Sequence, residues 1–210
     1  MQPSSDTASF FLPGLVHQFG NLLLTVHGHV LHLDEQGIKR MQDAVLGAVQ
    51  RGSASLQVVR ALLGEQTGAT GSGSDLVLQV VELGRVPARE CGISLELRGD
   101  TPSEAVWVAA EPFVLACAET LRLWIQSVPS GSAGAATVSY QSDGAGGSRV
   151  QLGFESAVGS LPFPMSSEEV VRAVASQVQK AGGTAQVMSA PDRGIELHFA
   201  AATFVSSYEA

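Results

Sequence analysis

Basic residues and cysteines are scarce in this chain, and no apolar run is long. The 12 Lys and Arg stand against 20 Asp and Glu, a formal net charge of −8 over 210 residues, and no basic run exceeds Lys39-Arg40. A nucleic-acid surface needs a concentrated positive patch, so this balance argues for protein partners instead. Cys91 and Cys117 are the only cysteines, in no C-x-x-C pair and flanked by apolar or small residues. Buried free thiols in a reducing compartment are expected, with one structural disulfide as the alternative. The N-terminus lacks the basic start of a signal peptide, and no uninterrupted apolar run reaches the roughly 18 residues that cross a bilayer. A cytoplasmic protein with no membrane partner is therefore expected, whole or part of something larger. What the chain does have is 45% hydrophobic residues, ample for a packed core in one domain or two small ones.

Residues 10–33 read as an amphipathic helix. At roughly 100° per residue, Leu12, Leu15, Val16, Phe19, Leu22, Leu23, Val26, Val30 and Leu33 form one stripe. The start is expected near Ser9, with Pro13 tolerated in the first turn or at a kink. A turn over Asp34–Gly37 and a second helix over 38–63 complete an antiparallel hairpin. Such a hairpin cannot cover both its apolar stripes alone, and a dimeric four-helix bundle satisfies it most simply.

The glycine-rich stretch 64–74 reads as a joint, which divides the chain into a helical hairpin at 1–66, a flexible linker at 67–74 and an α/β domain at 75–205. In the last of these the pattern predicts helices at 75–88, 111–128 and 167–181, the third capped by Gly182-Gly183. Each is followed by two strands: 93–99 and 105–110, 136–142 and 149–156, 184–189 and 194–200. The fold class is α+β, with helices covering one face of a mixed sheet in a two-layer sandwich.

His17 lies nearly opposite the apolar stripe of the first helix. Asn21, Leu24, Gly28 and Leu31 share its face, two leucines and a glycine that would let a partner's backbone approach. A solvated histidine is the plain reading. An imidazole beside an amide on a semi-apolar surface also suits docking and phosphoryl transfer.

The order of elements and several local segments resemble the core of a bacterial histidine kinase. Residues 14–33, "GLVHQFGNLLLTVHGHVLHL", look like the phosphoacceptor box H-[DE]-x-x-N-x-L, which puts His17 on the phosphoaccepting histidine and Asn21 on the polar residue one turn later. "VPSGS" at 128–132 is similar to the loop after the kinase N-box helix, and residues 173–199 track the final helix and hairpin.

The departures fall on the ATP machinery. Gln18 stands where the family carries an acid, and an amide takes no proton near neutral pH. The N-box asparagine positions fall on Glu119 and Leu123, and Leu123 offers no oxygen to magnesium. The adenine-recognising box Asp-x-Gly-x-Gly falls on Ser156–Ser160 without its carboxylate and without either of its glycines, whose positions hold Val158 and Ser160. Only residues 161–166 then stand where a lid would be. The resemblance thus implies no ATP binding and no autokinase activity. It points to a homodimeric histidine phosphotransferase relaying phosphoryl groups between response-regulator aspartates through His17. The partner is a receiver domain that supplies its own magnesium; Gln18, Leu24, Gly28 and Leu31 form its landing face. The alternatives are a non-catalytic pseudokinase scaffold and a regulator phosphatase in which Asn21 holds an attacking water.

His27, His29 and His32 read as surface histidines, since on the wheel His27 and His29 point about 160° apart and no carboxylate or thiol has matching spacing; no metal is expected. Trp107 and Trp124 read as core or domain-contact aromatics. Glu119 reads as a solvated or capping carboxylate.

Overall fold

The computed structural model describes residues 5–31, 37–65, 68–98, 106–128, 134–142, 147–156, 165–188 and 194–200. Two helices, α1 (Ser5–Leu31) and α2 (Gly37–Leu62), precede β1 (Thr70–Ser72), α3 (Gly73–Glu90), β2 (Ile93–Arg98) and β3 (Trp107–Ala109). Then come α4 (Ala110–Gln126), β4 (Gly134–Ser142), β5 (Ser148–Ser156), α5 (Ser167–Lys180), β6 (Gly183–Val187) and β7 (Gly194–Phe199).

Five strands form a mixed sheet in the order β2-β4-β5-β7-β6, parallel only between β2 and β4, while β3, expected in the same sheet, pairs with β1 outside it. One face alternates into the core through Ile93, Leu95, Ala136, Val138, Val150, Leu152, Ile195 and Leu197, under α3, α4 and α5. The other face carries a polar ladder centred on Glu196, which accepts hydrogen bonds from Gln151 (2.6 Å) and Gln186 (2.8 Å) and touches His198 (2.5 Å). Desolvation pushes the Glu196 carboxyl up, but those three bonds and the charge of Arg149 outweigh it and hold its pKa below the usual range.

Local chemistry explains the helix ends. Ser166 and Glu169 form a capping box at α5, and Gly182 ends that helix with φ +72.

The glycine-rich segment is not a free linker at its C-terminal end. Thr70–Ser72 pair antiparallel with β3, the Gly73 amide donates to Val106, and Ser72 caps α3 through the Asp75 amide. A Cβ on Gly73 would stand 2.6 Å from the Tyr140 hydroxyl. The glycine serves close packing there, a use that composition alone does not separate from flexibility.

The hairpin also finds a partner within its own chain. α1 packs on α3 and α2 on α4, so hairpin, helices and sheet stack as three layers. The buried side of α1 is not the predicted stripe: Phe11, outside that stripe, is buried, Leu15 packs partly against the core, and Leu12, Val16 and Leu23 remain 55%, 65% and 66% exposed. α1 begins at Ser5, a full turn earlier than Ser9, which places Pro13 inside the helix. Taken as a whole helix, Asp6–Gly28 is long and apolar enough to cross a bilayer by length and composition, with mean hydropathy 1.2 and 11% of the segment buried. The reading of uninterrupted runs stands, since Asp6, His17, Gln18 and Asn21 break the segment. The same helix carries Thr7 and Gln18 into polar contacts with α4 and α2.

Other expectations shift in detail. Cys117 is buried and its thiol is pushed up by desolvation, whereas Cys91 is exposed at the end of α3; both are free. Trp124 is buried, but Trp107 faces outward from β3. The turn 34–36, residues 129–133 and residues 157–164, with most of the adenine-box positions, lie outside the described residues.

Candidate docking surface around His17

The middle of α1 holds His17 and Asn21 one turn apart on its exposed side. The Asn21 amide nitrogen lies 3.3 Å from His17 Nδ1. In that orientation Asn21 donates to Nδ1, and the neutral ring carries its proton on Nε2. Turning the amide over makes Nδ1–H the donor to Oδ1 and frees the Nε2 lone pair. Asn21 can therefore select the tautomer of His17.

Leu24 extends this surface, 69% exposed. A Cβ on Gly20 or Gly28 would meet nothing within 4 Å. A glycine inside a helix costs about 1 kcal/mol relative to alanine. Packing within this chain does not require either one, whereas a partner's close approach would use both. Leu31 ends α1 and its side chain lies outside the described residues, as do those of Lys39, Arg40 and Arg51.

Gln18 separates from this group. Its side chain turns inward, where Ser55 Oγ lies 2.7 Å from Gln18 Oε1 and 2.8 Å from Gln79 Oε1. One hydroxyl proton serves only one amide oxygen, so one of the two amides is turned to donate. Gln18 was expected on the regulator's landing face; its polar end is engaged by α2, so it lies apart from the exposed His17 face.

Glu119 is neither solvated nor a cap. Arg122 grips it with two nitrogens, at 2.9 and 2.6 Å, and Thr7 donates to it from α1. Desolvation raises the carboxyl's pKa, but the bonds from Arg122 and Thr7 and the arginine's charge prevail and hold it below the ordinary value. Both oxygens are occupied and Leu123 has no donor atom. The described N-box residues therefore do not fit a magnesium-nucleotide, and no step is derived through one.

Sequence reasoning missed what α3 brings to this region. A cleft of about 290 Å³ opens where α1, α2 and α3 meet, with Asn21 and Thr25 on one side, Leu78 and Glu82 on the other, and the Gln18–Ser55–Gln79 triad lining it. Leu78 and Glu82 lie one turn apart on α3, a spacing any amphipathic helix shows, so no sequence signal marks them.

Several solved structures are similar to the chain. The chain is similar to the Acinetobacter baumannii histidine kinase AdeS, at 11% identity over 89% of this chain and 98% of that one, TM-score 0.47. It is also similar to the histidine kinase domain of the Erythrobacter litoralis EL346 blue-light activated kinase, at 14% identity over 86% and 95%, TM-score 0.48. A bacterial phosphotransferase matches at 14% identity over 94% and 99%, TM-score 0.40. The chain is similar in fold to bacterial histidine-kinase domains. No family model matches it, and no curated protein does.

Proposed function

We propose that this chain is a kinase-like docking module without a kinase's own chemistry, a scaffold that presents the His17 face of α1 to a response-regulator receiver domain. The carrying observation is how the residues at the kinase's reactive positions are used. Gln18 is bonded inward to Ser55, and Glu119 is held by Arg122 and Thr7. His17, Asn21, Leu24 and Gly28 are left outside on a helix that these same contacts tie to α2 and α4. Chemistry has given way to packing, while the docking face stays open.

A homodimer fits the remaining apolar surface. On α1, Leu12, Val16, Phe19, Leu23 and Val26 follow each other at spacings of four and three, and Val49 and Leu56 on α2 with Leu63 just past its end recur every seven residues. Leu12, Val16, Leu23, Val49, Leu56 and Leu63 are exposed, forming the seam of a four-helix bundle between two copies.

A second reading keeps the imidazole chemically active, with the Asn21 amide turned so that its oxygen faces Nδ1. With Nδ1–H held by Asn21, the Nε2 lone pair attacks the phosphorus of a regulator's aspartyl phosphate. A P–N bond forms, the P–O bond breaks and the aspartate leaves as carboxylate, with magnesium supplied by the regulator.

The test offers a panel of phosphorylated receiver domains, radiolabelled at phosphorus, to wild type and His17→Ala. Equal binding by both without label on either is the expected result. Acid-labile, base-stable label on wild type alone replaces the scaffold with the relay. Loss of regulator phosphate that depends on Asn21 replaces it with a phosphatase, and no binding at all removes all three.

A further inference from the structure

The cleft beside Asn21 is not absorbed by the docking reading, and its chemistry is specific. Its volume of about 290 Å³ sits at the lower edge of small-molecule pockets, roughly 300–1,000 Å³. That is room for one long side chain. Leu22 and Leu78 supply apolar walls, and Ala48 and Gly52 on α2 are small enough to leave the space open.

Gln18, Ser55 and Gln79 place uncharged polar groups at a junction of three helices, where apolar side chains would pack at lower cost. Two amides and one hydroxyl offer more donors and acceptors than their contacts with one another consume. Among the described residues, Glu82 is the single ionisable group lining the cleft. Its ion pair with Arg85, 2.7 Å long, is partly exposed, 43% at the arginine and 32% at the glutamate side chain, and a pair this open to water contributes little that a new partner would have to replace.

We propose that this cleft receives an arginine side chain from the docked partner, its stem against Leu22 and Leu78, its guanidinium on Glu82 and on amide oxygens of Gln18 and Gln79. The inference rests on the docking reading and adds to it a second contact on α3. It gives the receiver domain two points of attachment, the His17 face and the cleft. A planar guanidinium with several donors suits one carboxylate and two amide oxygens better than a compact ammonium does.

The experiment needs no regulator. Full-length protein is titrated with n-butylguanidinium, and with neutral N-butylurea as isostere, while the side-chain amide signals of Gln18 and Gln79 are followed by 1H–15N NMR. The expected result is a saturable shift at millimolar butylguanidinium, with N-butylurea at least about tenfold weaker, the worth of one charge-assisted hydrogen bond. Glu82→Gln lowers the guanidinium affinity to that of the urea. Gly52→Ala, whose new methyl would stand 2.8 Å from Leu22 Cδ1 and press that side chain toward the cleft, weakens it as well. No saturable shift, equal affinity for the urea, or indifference to both substitutions overturns the proposal. Binding of butylguanidinium without any receiver docking would leave the cleft and remove the docking reading; docking without butylguanidinium binding would do the reverse.

Discussion

A Cβ built on Gly14 would overlap the carbonyl oxygen of Leu83, so α1 and α3 meet backbone to backbone at that point. No rotamer change relieves a clash with a carbonyl in the middle of a helix. Together with Gln18–Ser55 and Thr7–Glu119, this contact holds the hairpin on the α/β layer.

Gly14→Ala therefore forces the helices apart. Overpacking a well-filled site costs about 1–3 kcal/mol, and a backbone clash belongs at the upper end. The urea midpoint is expected to fall accordingly. Gly28→Ala, with open space around it, leaves the midpoint unchanged or raises it through helix propensity.

The Glu119–Arg122 pair predicts a pH dependence. The carboxyl's pKa is lowered in the folded chain, so its contribution is fully present above the unfolded value of about 4.3 and is lost as pH falls through the folded value. Denaturation midpoints between pH 7 and pH 3 should drop less steeply in Glu119→Gln than in wild type. Arg122→Ala leaves a largely buried carboxylate without its partner and costs about 3 kcal/mol at pH 7.

If two copies join through the exposed seam, Val16→Glu converts a dimer to a monomer in sedimentation velocity. Val16 is exposed in the single chain, so the monomer keeps its secondary structure by circular dichroism. A wild-type monomer at tens of micromolar would remove the four-helix bundle.

Leu24→Asp places a charge on the proposed landing face and should weaken receiver binding about tenfold or more, while His17→Ala spares it. Titration calorimetry with a cognate receiver domain reads both. If His17→Ala alone abolished binding, the imidazole rather than the surrounding face would carry the affinity.

The two thiols should differ in access. Cys91 reacts with a disulfide reagent in the native protein, slowly near neutral pH because desolvation and Glu90 raise its pKa; Cys117 reacts only after unfolding. A thiol count in native buffer and again in denaturant checks this.

Much of the α/β half was legible along the chain. Period-two alternation at 93–98 and 136–140 and the glycine stop at Gly182 are short-range signals, and they report elements that short-range geometry builds. Pairing is not short-range. That β2 lies parallel to β4, with β7 between β5 and β6, follows from crossovers that no local window contains. The failures were of the same kind. Gln18 and Glu119 looked like lapsed catalytic positions because their partners, Ser55 and Thr7, lie 37 and 112 residues away in the chain.

Residue spacing alone settled most of the helices and strands, β1 within the glycine stretch excepted, and which side of α1 carries His17, because those depend on positions within a few turns. Three outcomes waited on packing: which apolar face of α1 is covered, how tightly the end of the glycine stretch is held, and that a cleft with Glu82 opens next to Asn21. They depend on which helices approach one another and how closely, a matter of shape complementarity between distant residues that hydrophobic periodicity leaves open.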